Sequence, residues 1–336
     1  MRGKYNLKPI KQNDELLKGV FKQYFVEFLR FIYPNAAIIF DFSHAIEFLD
    51  KELLKINPNR ERSKGRREAD LLAKVRRCNG LDEYILVHTE IEGGSHKDFA
   101  FRLLQYHYRL LDYHQKPVET IAFFTGGRQQ ARPKKYQYEV IDTKLSFYYR
   151  SYHIFDNSEL ELLAMDNIFA LIVLSCQKAL LEGKVADDVL GENRLTIAKA
   201  LLKRGYPHED VKSFLVFLKN FIYIENKEVD VFFDNQISEL TGGSISMDVI
   251  EIVKKQAVER ALKKGRQEGI KEGRQEGVKE GVKEGRQEGI KEGRQEGELD
   301  KAIVIARKMI QEGFSLDDIA KLTDLSPDEL QKLGRD

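Results

Sequence analysis

Residues 69–92, ADLLAKVRRCNGLDEYILVHTEIE, decide the fold of this 336-residue chain. Two short runs in it, 69–76 and 83–92, are rich in apolar residues and have the length of strands. The dipeptide Asn79-Gly80 between them is typical of a tight turn. The stretch therefore predicts a β-hairpin.

The flanking sequence extends this hairpin into a mixed α/β domain. Apolar residues recur at helical spacing over 14–33 and over 97–113, whereas 45–54 and 118–126 are short runs of strand type. The order is helix, three strands, helix, strand, which predicts an α/β domain over residues 1–155. Residues 156–262 then carry long stretches of helical periodicity, so we expect a helical subdomain there.

The C-terminal region begins with a repeat in which glycine occupies every fourth position over 265–297. Glycine costs a helix about 1 kcal/mol relative to alanine, and Glu–Lys pairs return only about 0.2–0.5 kcal/mol each. We therefore expect residues 263–298 to form a solvated, partly helical linker.

A small helical module is predicted over residues 299–336. Its first helix should end before Gly313, and Ser315 and Ser326 are placed to cap two further helices. The module resembles a helix-turn-helix. Its exposed face is acidic, however, so we expect it to contact protein, with homo-oligomerisation as one such role.

Composition excludes several classes of protein. The 55 basic and 54 acidic residues nearly cancel, so the chain is not a polycation that coats nucleic acid. Cys78 and Cys176 are far apart and form neither a disulfide framework nor a zinc motif. No apolar run is long enough to span a membrane, and the start of the chain has no signal-peptide pattern. We expect a cytoplasmic protein without membrane contact.

Three carboxylates on the predicted hairpin are the candidate functional residues. Glu90 and Glu92 are two residues apart on one strand and so share a face, and pairing of the strands would bring Asp70 close to them. Carboxylates on rigid strands are suitable ligands for Mg²⁺, with Mn²⁺ as an alternative, and such a cation promotes phosphodiester hydrolysis. The other interpretation is that all three are solvated surface residues.

Basic residues accompany this carboxylate cluster. Arg102 lies on the following helix in line with Tyr106 and Arg109, where it would face a phosphate or a solvated surface. Residues 55–77 include nine basic and three acidic side chains, which favours contact with a phosphate backbone. Lys74 is a second candidate cation for the site. His88 shares the face of the two glutamates and is interpreted as a structural histidine.

Residues 66–126, from RREADLLAKV to VETIAFFTG, resemble the core of the recombination-promoting nuclease (Rpn) family of transposase-related proteins, in the PD-(D/E)XK superfamily. The resemblance implies a restriction-endonuclease-like fold, with a mixed sheet flanked by helices. It assigns Asp70 and Glu90 as metal ligands. Glu92 stands where the superfamily has a catalytic lysine and the Rpn family commonly has glutamine.

This resemblance implies a function for the chain. The expected activity is a magnesium-dependent DNA endonuclease of low sequence specificity, related to recombination or to mobile elements, with Asp70, Glu90, Glu92 and Arg102 as its catalytic residues. The alternative is a protein of the same fold that has lost catalysis at Glu92 and binds DNA or another protein.

Overall fold

The computed structural model of the chain describes residues 13–50, 69–78, 84–243 and 245–333. The chain divides into two compact units, 1–255 and 256–336. The first unit is mixed α/β, as predicted. The domain boundaries expected at residues 155, 262 and 298 stay predictions.

The first unit is built on a five-stranded mixed sheet. The strands of the described residues are β1 (Glu47–Phe48), β2 (Ala69–Arg76), β3 (Tyr84–Glu92), β4 (Val118–Phe124), β5 (Lys135–Val140), β6 (Thr143–Tyr148) and β7 (Arg150–His153). The order in the main sheet is β1-β2-β3-β4-β7, while β5 and β6 form a separate antiparallel hairpin.

Pairing within the main sheet confirms the predicted hairpin. Strand β2 is antiparallel to both β1 and β3. Strand β4 is parallel to β3, and β7 is parallel to β4. Asn79 and Gly80, for which a turn is predicted, lie outside the described ranges, as do residues 51–54 of the first predicted strand. The strands β5, β6 and β7 were not predicted.

Helices of the first unit cover both faces of the sheet. They are α1 (Asn13–Gln23), α2 (Phe25–Ile32), α3 (Ala36–Ile39), α4 (Phe99–His114), α5 (Glu159–Ala164), α6 (Ile168–Ala179), α7 (Asp187–Lys203), α8 (His208–Phe221) and α9 (Lys227–Thr241). The prediction of helices beyond residue 156 is confirmed. The helix predicted over 14–33 is divided at Tyr24, whose hydroxyl donates to the Asp210 carbonyl at 3.1 Å and anchors the break against α8.

One face of the sheet carries the main hydrophobic core. Phe21 of α1 packs edge to face against Phe123 of β4 and against Phe169 of α6, with ring centroids 5.0 and 4.8 Å apart. Every residue of α6 from Ile168 to Gln177 is buried. The opposite face is covered by α4, which connects the parallel strands β3 and β4 and buries four apolar or aromatic side chains, Phe99, Leu103, Tyr106 and Leu110.

The glycine repeat is solvated, as expected, but it is helical throughout, so the expectation of only partial helix was wrong, while its role as a linker stays a prediction. Helix α10 (Ser246–Gln311) runs through all the tetrads. The physical reason is that nucleation is the costly step of helix formation. The repeat continues helical turns on both sides and only has to propagate them.

The C-terminal helices of the second unit form as predicted. They are α11 (Leu316–Thr323) and α12 (Pro327–Leu333). The hydroxyls of Ser315 and Ser326 accept hydrogen bonds from backbone amides three residues later, at 3.2 and 3.4 Å. A small core of Ala306, Ile319, Leu325 and Leu330 holds these helices to the end of α10.

Among the helices described, none combines the length and the hydropathy needed to cross a membrane.

Candidate active site

The register of β2 and β3 assembles the predicted acidic residues. Asp70 stands directly opposite Glu90, and Glu92 follows two residues later on β3. Residues opposite each other in an antiparallel pair belong to the same face of a sheet. All three positions therefore lie on the face that α4 covers.

Arg102 of α4 contacts both glutamates. Its Nε lies 3.6 Å from Glu90 Oε1, and its Nη2 donates to Glu92 Oε2 at 3.1 Å. Glu90 is 0% exposed and Glu92 is 3% exposed, so their carboxylates are largely removed from water. Among the described side chains, one guanidinium thus faces two buried carboxylates, an arrangement in which a cation is favoured.

Glu92 is held in place by backbone groups and by one side chain that the sequence reasoning missed. The Gly94 amide donates to Glu92 Oε1 at 2.6 Å. The Gln130 side-chain amide donates to the carbonyls of Glu92 and Gly94 at 2.8 and 2.5 Å and accepts from the Gly126 amide at 2.7 Å. Gln130 thus ties the end of β3 to the end of β4.

Two histidines lie near the glutamates. His96 Nε2 is 3.7 Å from Glu92 Oε1, and its side chain is 43% exposed. His88 is fully buried, with Nε2 4.0 Å from Glu90 Oε2 and its ring 5.6 Å from that of Tyr106. The burial and packing of His88 agree with its interpretation as a structural histidine.

Lys74, the other candidate cation, lies away from the glutamates. It pairs with Leu86 in the register, and its Nζ is 3.5 Å from Glu47 and 4.8 Å from the centre of the Tyr84 ring. Of the two candidate cations, Arg102 is therefore the one that contacts both glutamates. Most of the basic run over 55–77 lies outside the described ranges, and Arg109 is half-buried on α4.

The chemistry of this group suits a divalent cation. Carboxylate oxygens are the ligands that Mg²⁺ prefers, and Glu90 and Glu92 bring two of these groups together in a buried position. Among the side chains that the structure describes, no set of three His, Cys, Asp or Glu residues forms a metal-binding group. The Asp70 side chain is outside that set, although its backbone position is described.

Comparison with known proteins identifies the C-terminal module. No curated protein and no solved structure matches the chain. Residues 299–335 match the family model described as the C-terminal HTH domain of the Rpn/YhgA-like nuclease family. An HTH domain suggests DNA binding, and the family suggests a nuclease-related function. This match, which covers the C-terminal module, supports membership of the chain in the Rpn/YhgA-like nuclease family.

Proposed function

We propose that the chain is a divalent-metal-dependent DNA endonuclease of low sequence specificity, with a restriction-endonuclease-like core. The observation that carries the proposal is the juxtaposition of Asp70 and Glu90 in the β2–β3 register, with Glu92 and Arg102 beside them. The family match of the C-terminal module supports the nuclease class.

Each side chain has a role in this proposal. Asp70, Glu90 and Glu92 would hold Mg²⁺, or Mn²⁺ in its place. The bound cation would activate a water molecule and offset the charge of the phosphate. Glu92 cannot stabilise developing negative charge as a lysine would. Arg102 supplies the positive charge instead, since its side chain is 23% exposed and its guanidinium lies at the carboxylates.

DNA binding would be shared between the core and the C-terminal module. The match to an HTH domain supports DNA as the partner of residues 299–335, whereas their acidic exposed face had led us to expect a protein contact. The protein would act in the cytoplasm, in recombination or in the activity of mobile elements. It would also assemble into homo-oligomers through its C-terminal region. Light scattering of the full chain tests that assembly, and a monomer would exclude it.

Plasmid cleavage tests the proposed activity. The full chain should nick supercoiled DNA in Mg²⁺ or Mn²⁺ and not in chelator, and Asp70→Asn or Glu90→Gln should abolish the cleavage. Glu119→Gln is the matched control, because Glu119 is a carboxylate on the opposite face of the sheet, where it accepts from the Tyr33 hydroxyl at 2.6 Å. Cleavage that survives Glu90→Gln would refute the assignment.

A second function is favoured by one feature of the site. Arg102 contacts both glutamates, so their carboxylates already have a cationic partner that would compete with a metal ion. In this alternative the chain is a nuclease-fold protein that binds DNA or a protein without cutting it. DNA retained in a binding assay, with no cleavage in either metal, would favour this alternative.

A further inference from the structure

A cavity of about 460 Å³ lies in the first unit, between the loop after β4, the start of α5 and the end of α6. The charged side chains that line it are Arg128, Glu159, Lys178 and Lys184. None of the described side chains of the candidate active site lines it. A cavity of this size accommodates a small organic molecule, so it is a candidate binding site separate from the carboxylates.

Arg128 is positioned in this cavity by a turn and by an aromatic ring. The Gln130 amide donates to the Gly127 carbonyl at 2.8 Å, which closes a turn around Arg128. The guanidinium carbon lies 4.4 Å from the centre of the Phe155 ring, which also lines the cavity. Because the turn and the ring already order this side chain, a ligand that binds the guanidinium loses less conformational entropy.

Lys184 lines the cavity from the turn that follows α6. Its amide donates to the Leu181 carbonyl at 2.9 Å, and Gly183 within this turn has φ 69°, a left-handed conformation that suits glycine. Leu180 and Leu181 line the same cavity and are partly buried against the main core. The turn thus brings a cation and an apolar wall into one cavity.

The described side chains give the cavity more positive charge than negative. Lys178 Nζ is 2.6 Å from Glu159 Oε2, so these two charges offset each other. Within the part of the chain that the structure describes, Arg128 and Lys184 have no carboxylate oxygen within 4 Å. Two positive charges therefore remain to be offset by a ligand, and charge complementarity favours an anion.

We propose that this cavity binds a phosphate monoester with an apolar or aromatic body, such as a nucleoside monophosphate. The phosphate would lie at Arg128 and Lys184, and the body would lie against the two leucines. A phosphate monoester has a charge of about −1.5 to −2 at neutral pH, which matches two cations. A carboxylate has a single charge and would leave one cation unopposed. Arginine also donates two parallel hydrogen bonds to phosphate oxygens.

Two sources supply this chemistry, a free nucleotide and the terminal phosphate of a nucleic acid strand. Both present the same monoester group. An internal phosphodiester has one charge and is bonded on both sides, so the interior of a strand matches the two cations less well. The proposal does not rest on the proposed nuclease function.

Isothermal titration calorimetry of the full chain with adenosine monophosphate, in chelator, tests the proposal. Arg128→Gln and Lys184→Gln should each weaken binding roughly tenfold, because each removes charge-assisted hydrogen bonds to the phosphate. Lys184→Arg keeps the charge and should bind within about threefold of the wild type. Adenosine lacks the phosphate and inorganic phosphate lacks the body, so each should bind at least about tenfold more weakly than adenosine monophosphate.

Lys199→Gln is the matched control, because Lys199 is exposed on α7 and its replacement changes the net charge equally. It should bind as the wild type does, and thermal melts without ligand should show that every variant is folded. Equal binding by Arg128→Gln and wild type would overturn the proposal, as would a loss of binding by Lys199→Gln as large as theirs. Binding of inorganic phosphate as tight as that of the nucleotide would overturn the role of the apolar wall.

Competition with an oligothymidylate, with and without a terminal phosphate, distinguishes the two sources. Displacement of the nucleotide by the phosphorylated strand alone would identify a strand terminus as a ligand, and displacement by neither would leave the free nucleotide. Equal displacement by both strands would overturn the assignment to a monoester. A chain that binds the nucleotide but cuts no DNA in Mg²⁺ or Mn²⁺ would retain this proposal and refute the nuclease proposal.

Discussion

Replacing Arg102 by methionine should destabilise the fold in a way that a divalent cation reverses. The variant keeps the length of the side chain but leaves the buried carboxylates of Glu90 and Glu92 without their shared guanidinium. Removal of one partner of a buried ion pair costs about 3–5 kcal/mol. Because Arg102 is 23% exposed, we expect the lower end, about 3 kcal/mol in the free energy of unfolding.

Thermal unfolding followed by circular dichroism measures this effect. For a unit of this size, a loss of about 3 kcal/mol lowers Tm by roughly 6–12 °C. Mn²⁺ at a hundredfold excess over its Kd should then restore about 2.7 kcal/mol if the freed carboxylates bind it.

Lys74→Met serves as the control for Arg102→Met. Its ion pair with Glu47 is between side chains that are 40% and 61% exposed, so its loss should cost less than about 1 kcal/mol. If Arg102→Met and Lys74→Met unfold at the same temperature in chelator, the electrostatic argument is refuted. If Mn²⁺ stabilises neither protein, the carboxylates do not form a metal site.

Three further predictions concern stability. Burial lowers the pKa of His107 below its ordinary 6.5, so the folded state takes up fewer protons than the unfolded state. The free energy of unfolding should then fall as the pH drops below about 6.5. Over the same pH range the urea midpoint of His107→Gln should fall less than that of the wild type, and equal slopes of midpoint against pH would contradict this. Arg194 is 1% exposed and donates to Asp230 and to the Ile222 carbonyl at 2.5 and 2.6 Å. Arg194→Met should cost roughly 3–5 kcal/mol in urea unfolding, and a loss under about 1 kcal/mol would show that this buried cation is dispensable. Apart from the adjoining helix backbone, no described atom lies within 4 Å of a methyl group added at Gly281, so Gly281→Ala should favour the local helix by about 1 kcal/mol. Amide hydrogen exchange in the adjoining tetrads should slow, and unchanged rates would contradict a helical repeat.

The central hairpin was predictable because its signals are local. Asn79-Gly80 predicts a turn, and the alternation of side chains on β3 determines that Glu90 and Glu92 share a face. The strands after β4 were harder to predict. Residues Arg150–His153 form a strand only because they pair with β4, and a run so short has no distinctive pattern. On β5, by contrast, Tyr136 and Tyr138 alternate with polar residues, which is a recognisable strand signal.

The candidate site was predictable only in part, for a similar reason. The resemblance and the helical spacing pointed to Arg102, and the structure places it between the glutamates. Lys74 was wrongly kept as a candidate, because it follows Asp70 by four residues on one strand, about 13 Å along it, and its Nζ lies near Glu47 instead. Gln130 had no sequence signal, because its hydrogen bonds join three segments that meet only in the folded chain.

The contact of one guanidinium with two buried glutamates has a thermodynamic consequence. A phosphate that draws Arg102 away from Glu90 and Glu92 would leave their negative charge to be offset by a cation. If a bound phosphate changes the affinity of the carboxylates for a cation by some factor, the cation must change the affinity for the phosphate by the same factor. One arginine thereby links polymer capture to ion occupancy in both directions.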